Sequence, residues 1–128
     1  MEDLIFIIGR ILLGGFFLMN GYNHFKNKAG LIGYTQSKGI KSAETAVIGT
    51  GVMLVLGGLG IVLGTFIQIA MGLLVIFLIG TNLKMHAYWK ETDPQTQSGE
   101  RIHFMKNAAI IGALLILIAL GGPWPLSL

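Results

Sequence analysis

The sequence contains no cysteine, and this absence removes several kinds of chemistry. Disulfides, thiolate nucleophiles, cysteine-ligated iron–sulfur clusters and cysteine-based zinc sites are all excluded. Any redox role would therefore depend on a bound cofactor or on a quinone.

Charged residues are also scarce. They make up 12% of the 128 residues, against about 25% in an ordinary soluble domain. Hydrophobic residues make up 53% and the mean hydropathy is +0.72, so the composition is that of an integral membrane protein. The net charge of +3 is modest, and it favours contact with anionic lipid over a nucleic-acid surface.

Four apolar segments are long enough to cross a bilayer, which takes about 20 helical residues. A Gly64-Thr65 turn divides the second segment from the third, and a glycine pair followed by Pro123 ends the fourth. The predicted spans are residues 4–24, 45–63, 66–86 and 104–120. We therefore expect a single all-α domain over residues 1–128, a four-transmembrane-helix bundle in which the 19 glycines provide packing surface.

Two helix starts carry capping signals. Ser42 with Glu44 precedes the second span, and Asp93 with Pro94 lies in the polar segment before the fourth. A side-chain oxygen at the N-cap accepts hydrogen bonds from free amides, and proline fits the first helical position. We expect a short amphipathic helix after Asp93 that leads into the fourth span.

The basic residues predict how the chain lies in the membrane. Eight of them fall in or beside the two long polar segments, at Lys26, Lys28, Lys38, Lys41, Lys84, Lys90, Arg101 and Lys106. The turn near Gly64 and the C-terminal tail carry none. Because cytoplasmic loops carry the excess of Lys and Arg, we expect both basic segments in the cytoplasm and both termini outside.

An Asn-x-x-x-His pattern ends the first span at Asn20 and His24, and it recurs at Asn82 and His86 in the third. The match suggests two parallel helical hairpins, as in some transporters, with coincidence in a short window as the alternative. Residues four apart share a helix face, so each Asn is placed to orient its His or to bind the same ligand. Helical periodicity puts Gln68 on the face of Asn82 and His86.

His103 brings a third imidazole to a similar depth. Three imidazoles at one end of a four-helix bundle have the chemistry to bind a metal, bracket a haem or hydrogen-bond a quinone carbonyl. The alternative is that they cap helix ends in the headgroup region, and we interpret His103 in this way. For His24 and His86 we favour a ligand site, because polar groups at membrane depth usually face the bundle interior.

Tyr88 and Trp89 follow His86 closely. Two aromatic rings beside an imidazole could stack on a planar cofactor or a quinone. The alternative is an interfacial aromatic belt, where Tyr and Trp are enriched.

Arg10 lies well inside the first predicted span. It stands fourteen residues before His24, about 21 Å along a helix, so the two belong to opposite sides of the membrane. Its side chain either reaches the outer interface or points into the bundle. Gly14, Phe17 and Gly21 share its helix face, which is narrow enough for tight helix contact.

A series of short motifs runs along nearly the whole chain. They are Gly9-Arg10-Ile-Leu-Leu-Gly-Gly-Phe-Phe-Leu, Asn23-His24-Phe25, Gly57-Gly58, His86-x-Tyr-Trp-x-x-x-Asp93-Pro94, and Phe104-Met-Lys106-Asn107 with Gly112. In this order and spacing they resemble the DoxX family of bacterial inner-membrane proteins. Many relatives carry a Glu shortly before the paired glycines, where this chain has Met53 and Leu54.

The resemblance implies a four-helix membrane bundle and a loosely defined redox role, since some relatives belong to thiosulfate:quinone oxidoreductases. It marks as family-like, without assigned catalytic roles, the positions Arg10, His24, His86, Tyr88, Trp89, Asp93, Lys106 and Asn107.

These observations together predict a DoxX-like protein of the bacterial inner membrane, a subunit or accessory of a quinone-linked oxidoreductase. Its ligand site would lie at the cytoplasmic end of the bundle, at Asn20, His24, Asn82, His86, Tyr88 and Trp89. Quinone is the first candidate ligand and haem the second, with no metal site. The expected partners are the lipid bilayer and other redox subunits or further copies of the chain, and not nucleic acid. The alternative is a non-enzymatic assembly partner or a small transporter module.

Overall fold

The computed structural model describes residues 2–125, with the side chains of residues 3–125. Within this range the chain is helical throughout and contains no strand. The helices are α1 Glu2–Lys26, α2 Lys28–Ser37, α3 Ala43–Leu63, α4 Ile67–Lys84 and α5 Pro94–Leu120, with a 3₁₀ turn at Tyr88–Lys90. Four of the helices, all except α2, are long and apolar enough to cross a membrane. The predicted all-α fold with four spans is therefore confirmed.

The helix ends differ from the predicted spans in three places. The first polar segment contains a helix, α2, that we did not predict. The amphipathic start and the fourth span form one continuous helix, α5, from Pro94. Helix α4 ends at Lys84, because the amides of Met85 and His86 both donate to the Thr81 carbonyl and close the last turn.

The two predicted caps have different outcomes. A carboxylate oxygen of Asp93 accepts hydrogen bonds from the Thr96 amide and hydroxyl, each at 2.9 Å, so this cap is confirmed. Ser42 stands at the N-cap of α3 as expected, but its side chain makes no capping hydrogen bond.

Glycines bring α3 close to both of its long neighbours. A Cβ atom on Gly58 would lie 2.8 Å from the Gly14 carbonyl oxygen, so α1 and α3 meet backbone to backbone at this point. A Cβ on Gly57 would overlap the Leu74 side chain of α4. The predicted use of glycine as packing surface is therefore seen on both sides of α3.

The helices pack in the order α1, α3, α4 and α5, with α2 against α1 and α3. Over the described residues no Cα atom of α1 comes within 8 Å of one in α5. Side chains bridge these two regions instead: the Phe6 ring meets Trp124, just beyond α5, at 5.1 Å, and Lys106 lies over the Phe16 ring. The bundle thus has a cleft between α1 and α5.

The two ends of the bundle are chemically different. We call the end that carries α2 and residues 85–93 the basic end, and the end that carries Gly64 and residues 121–125 the opposite end. Along the outer faces large apolar side chains such as Leu12 and Ile79 are exposed, an arrangement that suits contact with lipid.

Candidate functional site

A cavity of about 580 Å³ lies at the basic end, among α1, α2, α3, α4 and α5. Much of its wall is apolar, formed in part by Phe16, Phe17, Met53, Leu54 and Phe77. Its polar lining residues are Asn20, His24, Tyr34, Thr35, Thr50, Thr81, Lys84, His86, His103, Lys106 and Asn107. Two lysines and three histidines thus line the cavity, and its described lining contains no carboxylate. It is a space for an amphiphile whose polar group accepts hydrogen bonds or carries negative charge.

His24 is oriented by α3. Its Nδ1 atom lies 3.0 Å from the Val47 carbonyl oxygen and 3.2 Å from the Thr50 hydroxyl. A carbonyl oxygen only accepts, so Nδ1 carries the hydrogen and Nε2 is left for a ligand. A neutral His24 would accept from a quinol hydroxyl at Nε2, and a protonated one would donate to a quinone carbonyl.

Asn20 lines the same cavity one turn away from His24. Its side-chain amide donates to the Phe16 carbonyl at 2.8 Å. The expectation that Asn20 orients His24 is therefore wrong, because Val47 and Thr50 do so.

His86 does not share a helix face with Asn82 and Gln68, because α4 ends before it. Gln68 instead donates to the Ile118 carbonyl, far from the cavity. The His86 ring stacks on His103 with centroids 5.0 Å apart and planes 26° apart, and both rings line the cavity. His103 thus lies beside His86 at the cavity while its side chain is exposed, and its place in the headgroup region stays a prediction.

Glu100 was not singled out by the sequence, yet it is only 7% exposed and organises the basic end. One carboxylate oxygen lies 3.2 Å from Nδ1 of His86. The other accepts from the Tyr34 hydroxyl at 2.7 Å and pairs with the Lys38 ammonium. Lys38 also pairs with Glu91 at 2.7 Å, so α2, α5 and the 85–93 segment are joined through one carboxylate.

This carboxylate shifts the pKa values of Tyr34, in α2, and of Lys38, the C-cap residue of α2. Burial and then the hydrogen bond to Glu100 raise the pKa of Tyr34 above its usual value. For Lys38, burial lowers the pKa, but the hydrogen bonds to Glu100 and Glu91 outweigh it and raise the pKa. The spacing of Tyr34 and Lys38, four apart on one helix face, was the available sequence signal.

Asn82 is buried, but it serves the contact between α4 and α5. Its amide nitrogen donates to the Phe104 carbonyl at 3.2 Å, and its amide oxygen has no partner among the described residues. It neither touches His86 through a hydrogen bond nor lines the cavity, so the expectation that it orients His86 is wrong.

Asn107 and Lys106 supply the α5 side of the cavity. Asn107 is 5% exposed, and no hydrogen bond joins its side chain to another described residue. Its amide lines the cavity, so it can hydrogen-bond to a ligand there. The Lys106 ammonium lies 5.5 Å from the Phe16 ring centroid, across the cleft between α5 and α1.

Three other predicted positions lie outside the cavity. Tyr88 and Trp89 pack edge-on against Phe104, with ring centroids 5.4 Å and 5.6 Å from it, and form an aromatic cluster beside the bundle. Asp93 caps α5 on the surface. The cavity lining therefore includes neither the proposed aromatic pair nor Asp93.

Arg10 points inward at the opposite end and is 5% exposed. Its guanidinium donates to the carbonyls of Ile61 and Val62, at 3.2 Å and 2.8 Å, and to that of Pro125. The Trp124 ring lies 5.8 Å away. These carbonyls end α3 and belong to the tail, so Arg10 ties three parts of the chain together and does not extend to the outer interface.

The histidines do not assemble a metal centre in the part of the chain that the structure describes: residues 3–125 hold no group of three or more His, Asp or Glu side chains placed to share an ion. Of the three uses that the sequence left open for the imidazoles, hydrogen bonding to an organic ligand matches this cavity best.

Comparison with known proteins identifies the chain at the level of family. The DoxX family model matches residues 5–87, which covers α1 to α4. The chain is similar to the inner membrane protein YphA of Escherichia coli (strain K12), with 32% identity over 127 residues, 99% of this chain and 89% of that protein. No solved structure matches. The chain is therefore a member of the DoxX family and a multi-pass protein of the inner membrane.

Proposed function

We propose that this DoxX-family protein is a subunit or accessory of a quinone-linked oxidoreductase and that it holds the quinone headgroup in the cavity at the basic end. The observation that carries the proposal is the position of the Asn107 amide at a cavity whose wall is largely apolar, where no hydrogen bond from another described residue occupies it. A quinone has carbonyl oxygens to accept from such a donor and a flat ring to fit between apolar side chains.

The lining offers donors on two sides of a bound ring. Asn107 and Lys106 lie on α5, and His24 lies across the cavity on α1. Quinone and quinol need opposite hydrogen-bonding groups, and a histidine meets both needs by changing its protonation state. The cavity is thus suited to a ligand that cycles between the two forms.

The cleft between α1 and α5 supports entry from the bilayer. Phe16 and Lys106 border both the cleft and the cavity, and both are exposed. A long isoprenoid tail could therefore remain among lipid chains while the headgroup occupies the cavity. This route avoids carrying an apolar tail through water.

The chain itself has no cysteine for thiol redox chemistry, so we propose that the electron donor belongs to a partner subunit. In this arrangement the DoxX-family chain positions the quinone and the partner reduces it. The alternative to a different partner subunit is association with further copies of this chain.

We also propose that the basic end is cytoplasmic and that both termini lie outside. The eight basic residues near the two polar segments support this orientation through the positive-inside rule. A reporter fused after Leu128 that is active only outside the cytoplasm should therefore be active. Activity of a reporter that works only in the cytoplasm would overturn the orientation.

The proposed function is tested by binding a short-chain quinone to the purified protein. Asn107→Leu removes the amide at similar volume, and we expect Kd to rise about tenfold, the equivalent of one lost hydrogen bond. Asn23→Leu makes the same change at an exposed α1 position outside the cavity lining and should leave Kd unchanged. If the wild-type protein binds no quinone, the proposal fails and the assembly or transporter alternative is favoured.

A further inference from the structure

The cluster of Glu100 with Tyr34, Lys38 and His86 lies at the basic end, and the proposed binding role leaves it without a task. It connects α2 and the 85–93 segment to His86, which lines the cavity. The cluster therefore connects polar groups at the surface of the basic end to the cavity.

We propose that His86, oriented by Glu100, donates a proton from its imidazolium form to a carbonyl oxygen of the bound quinone during its reduction. This inference rests on the proposed function and names the residue that supplies the proton at that site. His86 would be a catalytic residue and Glu100 a positioning residue that acts through it.

The geometry assigns the two nitrogens of His86 different tasks. Nδ1 lies 3.2 Å from a carboxylate oxygen of Glu100 and donates to it, because an ionised carboxylate only accepts. The ring also borders the cavity, which leaves Nε2 as the nitrogen that can serve a ligand. A second proton on the ring therefore resides on Nε2 and is available to the ligand.

The carboxylate is itself held in place. Tyr34 donates to one of its oxygens at 2.7 Å, and Lys38 pairs with the same oxygen. These contacts keep Glu100 ionised and fixed, and a nearby negative charge favours the imidazolium form of His86. Burial is the largest influence and lowers the pKa of His86, the stacked His103 and Lys106 lower it further, and Glu100 offsets these effects only in part. Removal of Glu100 should therefore lower the pKa of His86 again.

Reduction of the quinone to the quinol takes two electrons and two protons, and each has a source. A reduced flavin or dithiol on a partner subunit gives two electrons to the quinone ring. The Nε2–H bond of His86 breaks as an O–H bond forms at one carbonyl oxygen, and water at the basic end supplies the second proton. The product is the quinol, and His86 is left neutral until solvent protonates it again.

The titratable and charged groups that face His86 define the pH response. Glu100, His103 and Lys106 act on His86 directly. Tyr34 and Lys38 act through Glu100, and Glu91 acts through Lys38. Because the proposal needs a protonated His86, the reduction rate should be high at low pH and should fall as pH rises. Because Glu100 favours the imidazolium form of His86, it should keep the reduction rate high up to a higher pH.

The test uses the purified full chain in phospholipid vesicles with a short-chain quinone, reduced at an electrode through a soluble viologen mediator. Glu100→Gln keeps the size of the side chain but removes its charge. We expect the half-maximal rate to move to lower pH by about one unit or more, with Kd for the quinone within about twofold of wild type. Glu100→Asp should restore most of the pH range. Glu44→Gln, on the exposed surface of α3, should match wild type.

A second variant keeps the test decisive if Glu100→Gln does not fold. His86→Ala should reduce quinone at least about tenfold more slowly, and added imidazole should restore the rate, which a purely structural role would not allow. An unchanged pH profile in Glu100→Gln, or no rescue of His86→Ala, overturns the proton role while quinone binding stands. Absence of quinone binding in the wild type overturns both proposals.

Discussion

Among single residues, two buried charged side chains, Glu100 and Arg10, each organise one end of the bundle. Glu100, with Tyr34, Lys38 and His86, organises the basic end, and Arg10 organises the other. Both groups connect segments that are far apart in sequence. A ligand in the cavity could reach His86, which borders it. Arg10 is not part of the cavity lining and contacts carbonyl groups and aromatic rings instead.

Arg10 provides the first prediction about stability. Arg10→Met keeps an unbranched side chain but leaves the carbonyls of Ile61 and Val62 without their donor. We expect a loss of roughly 1–3 kcal/mol in the free energy of unfolding, the cost of unsatisfied buried acceptors. Thermal unfolding in detergent measures it, with exposed Arg101→Met as the control. Equal melting temperatures for the two variants would contradict this role for Arg10.

Sequence reasoning identified Arg10, His24 and His86 but missed Glu100, and the reason is physical. The spacing of residues on one helix face is visible locally, whereas the partners of Glu100 lie 66 residues away at Tyr34 and 14 away at His86. No local pattern around Glu100 distinguishes it from a solvated charge. Only the packing of α2 near α5 gives that carboxylate its partners.

At the level of the helices, some elements could be predicted from the sequence and others could not. The four long apolar runs were predicted correctly, because a helix that crosses lipid must satisfy its own backbone hydrogen bonds. Helix α2 was missed, since its polar residues and two glycines give little local preference, and its packing against α3 supplies the stability. The end of α4 was missed because neither Gly nor Pro marks it.

The contact between α1 and α3 gives a prediction about packing. Gly58→Ala would place a methyl group 2.8 Å from the Gly14 carbonyl oxygen, so backbone must move. We expect a loss of about 1–3 kcal/mol. Gly72→Ala meets nothing within 4 Å and should be neutral or slightly stabilising, since Ala favours helix. If both variants unfold at the same temperature, the close contact is not real.

The start of α5 gives a prediction about pH. Hydrogen bonds from the Thr96 amide and hydroxyl hold the pKa of Asp93 below its ordinary value. A lowered folded-state pKa means that the cap stabilises α5 above the ordinary pKa of Asp and is lost as pH falls through the lowered one. The protection of the amides of residues 95–97 against hydrogen exchange, taken relative to the intrinsic exchange rate at each pH, should therefore fall in acid. Asp93→Asn keeps a capping oxygen without this charge, and an equal response to acid in that variant would contradict the account.

At the level of the whole molecule, side-chain contacts join α1 to the residues after α5 at the opposite end, and a cleft lies between α1 and α5. Phe6 and Trp124 meet at the opposite end, and at the basic end the cavity is lined by residues of both α1 and α5. The predicted hairpin repeat concerns the same four helices and stays a prediction. In the function that we propose, this shape gives a lipid-soluble ligand a route to polar side chains.

The most direct test of the central claim is photocrosslinking with a quinone that carries a reactive group on its ring, carried out in inner-membrane vesicles and mapped by mass spectrometry. The account predicts labels at the cavity residues of α1 and α5, near His24 and Asn107, that disappear when unlabelled quinone is added in excess. Labels confined to lipid-facing residues such as Leu12 and Ile79, or labels that excess quinone does not displace, would contradict it.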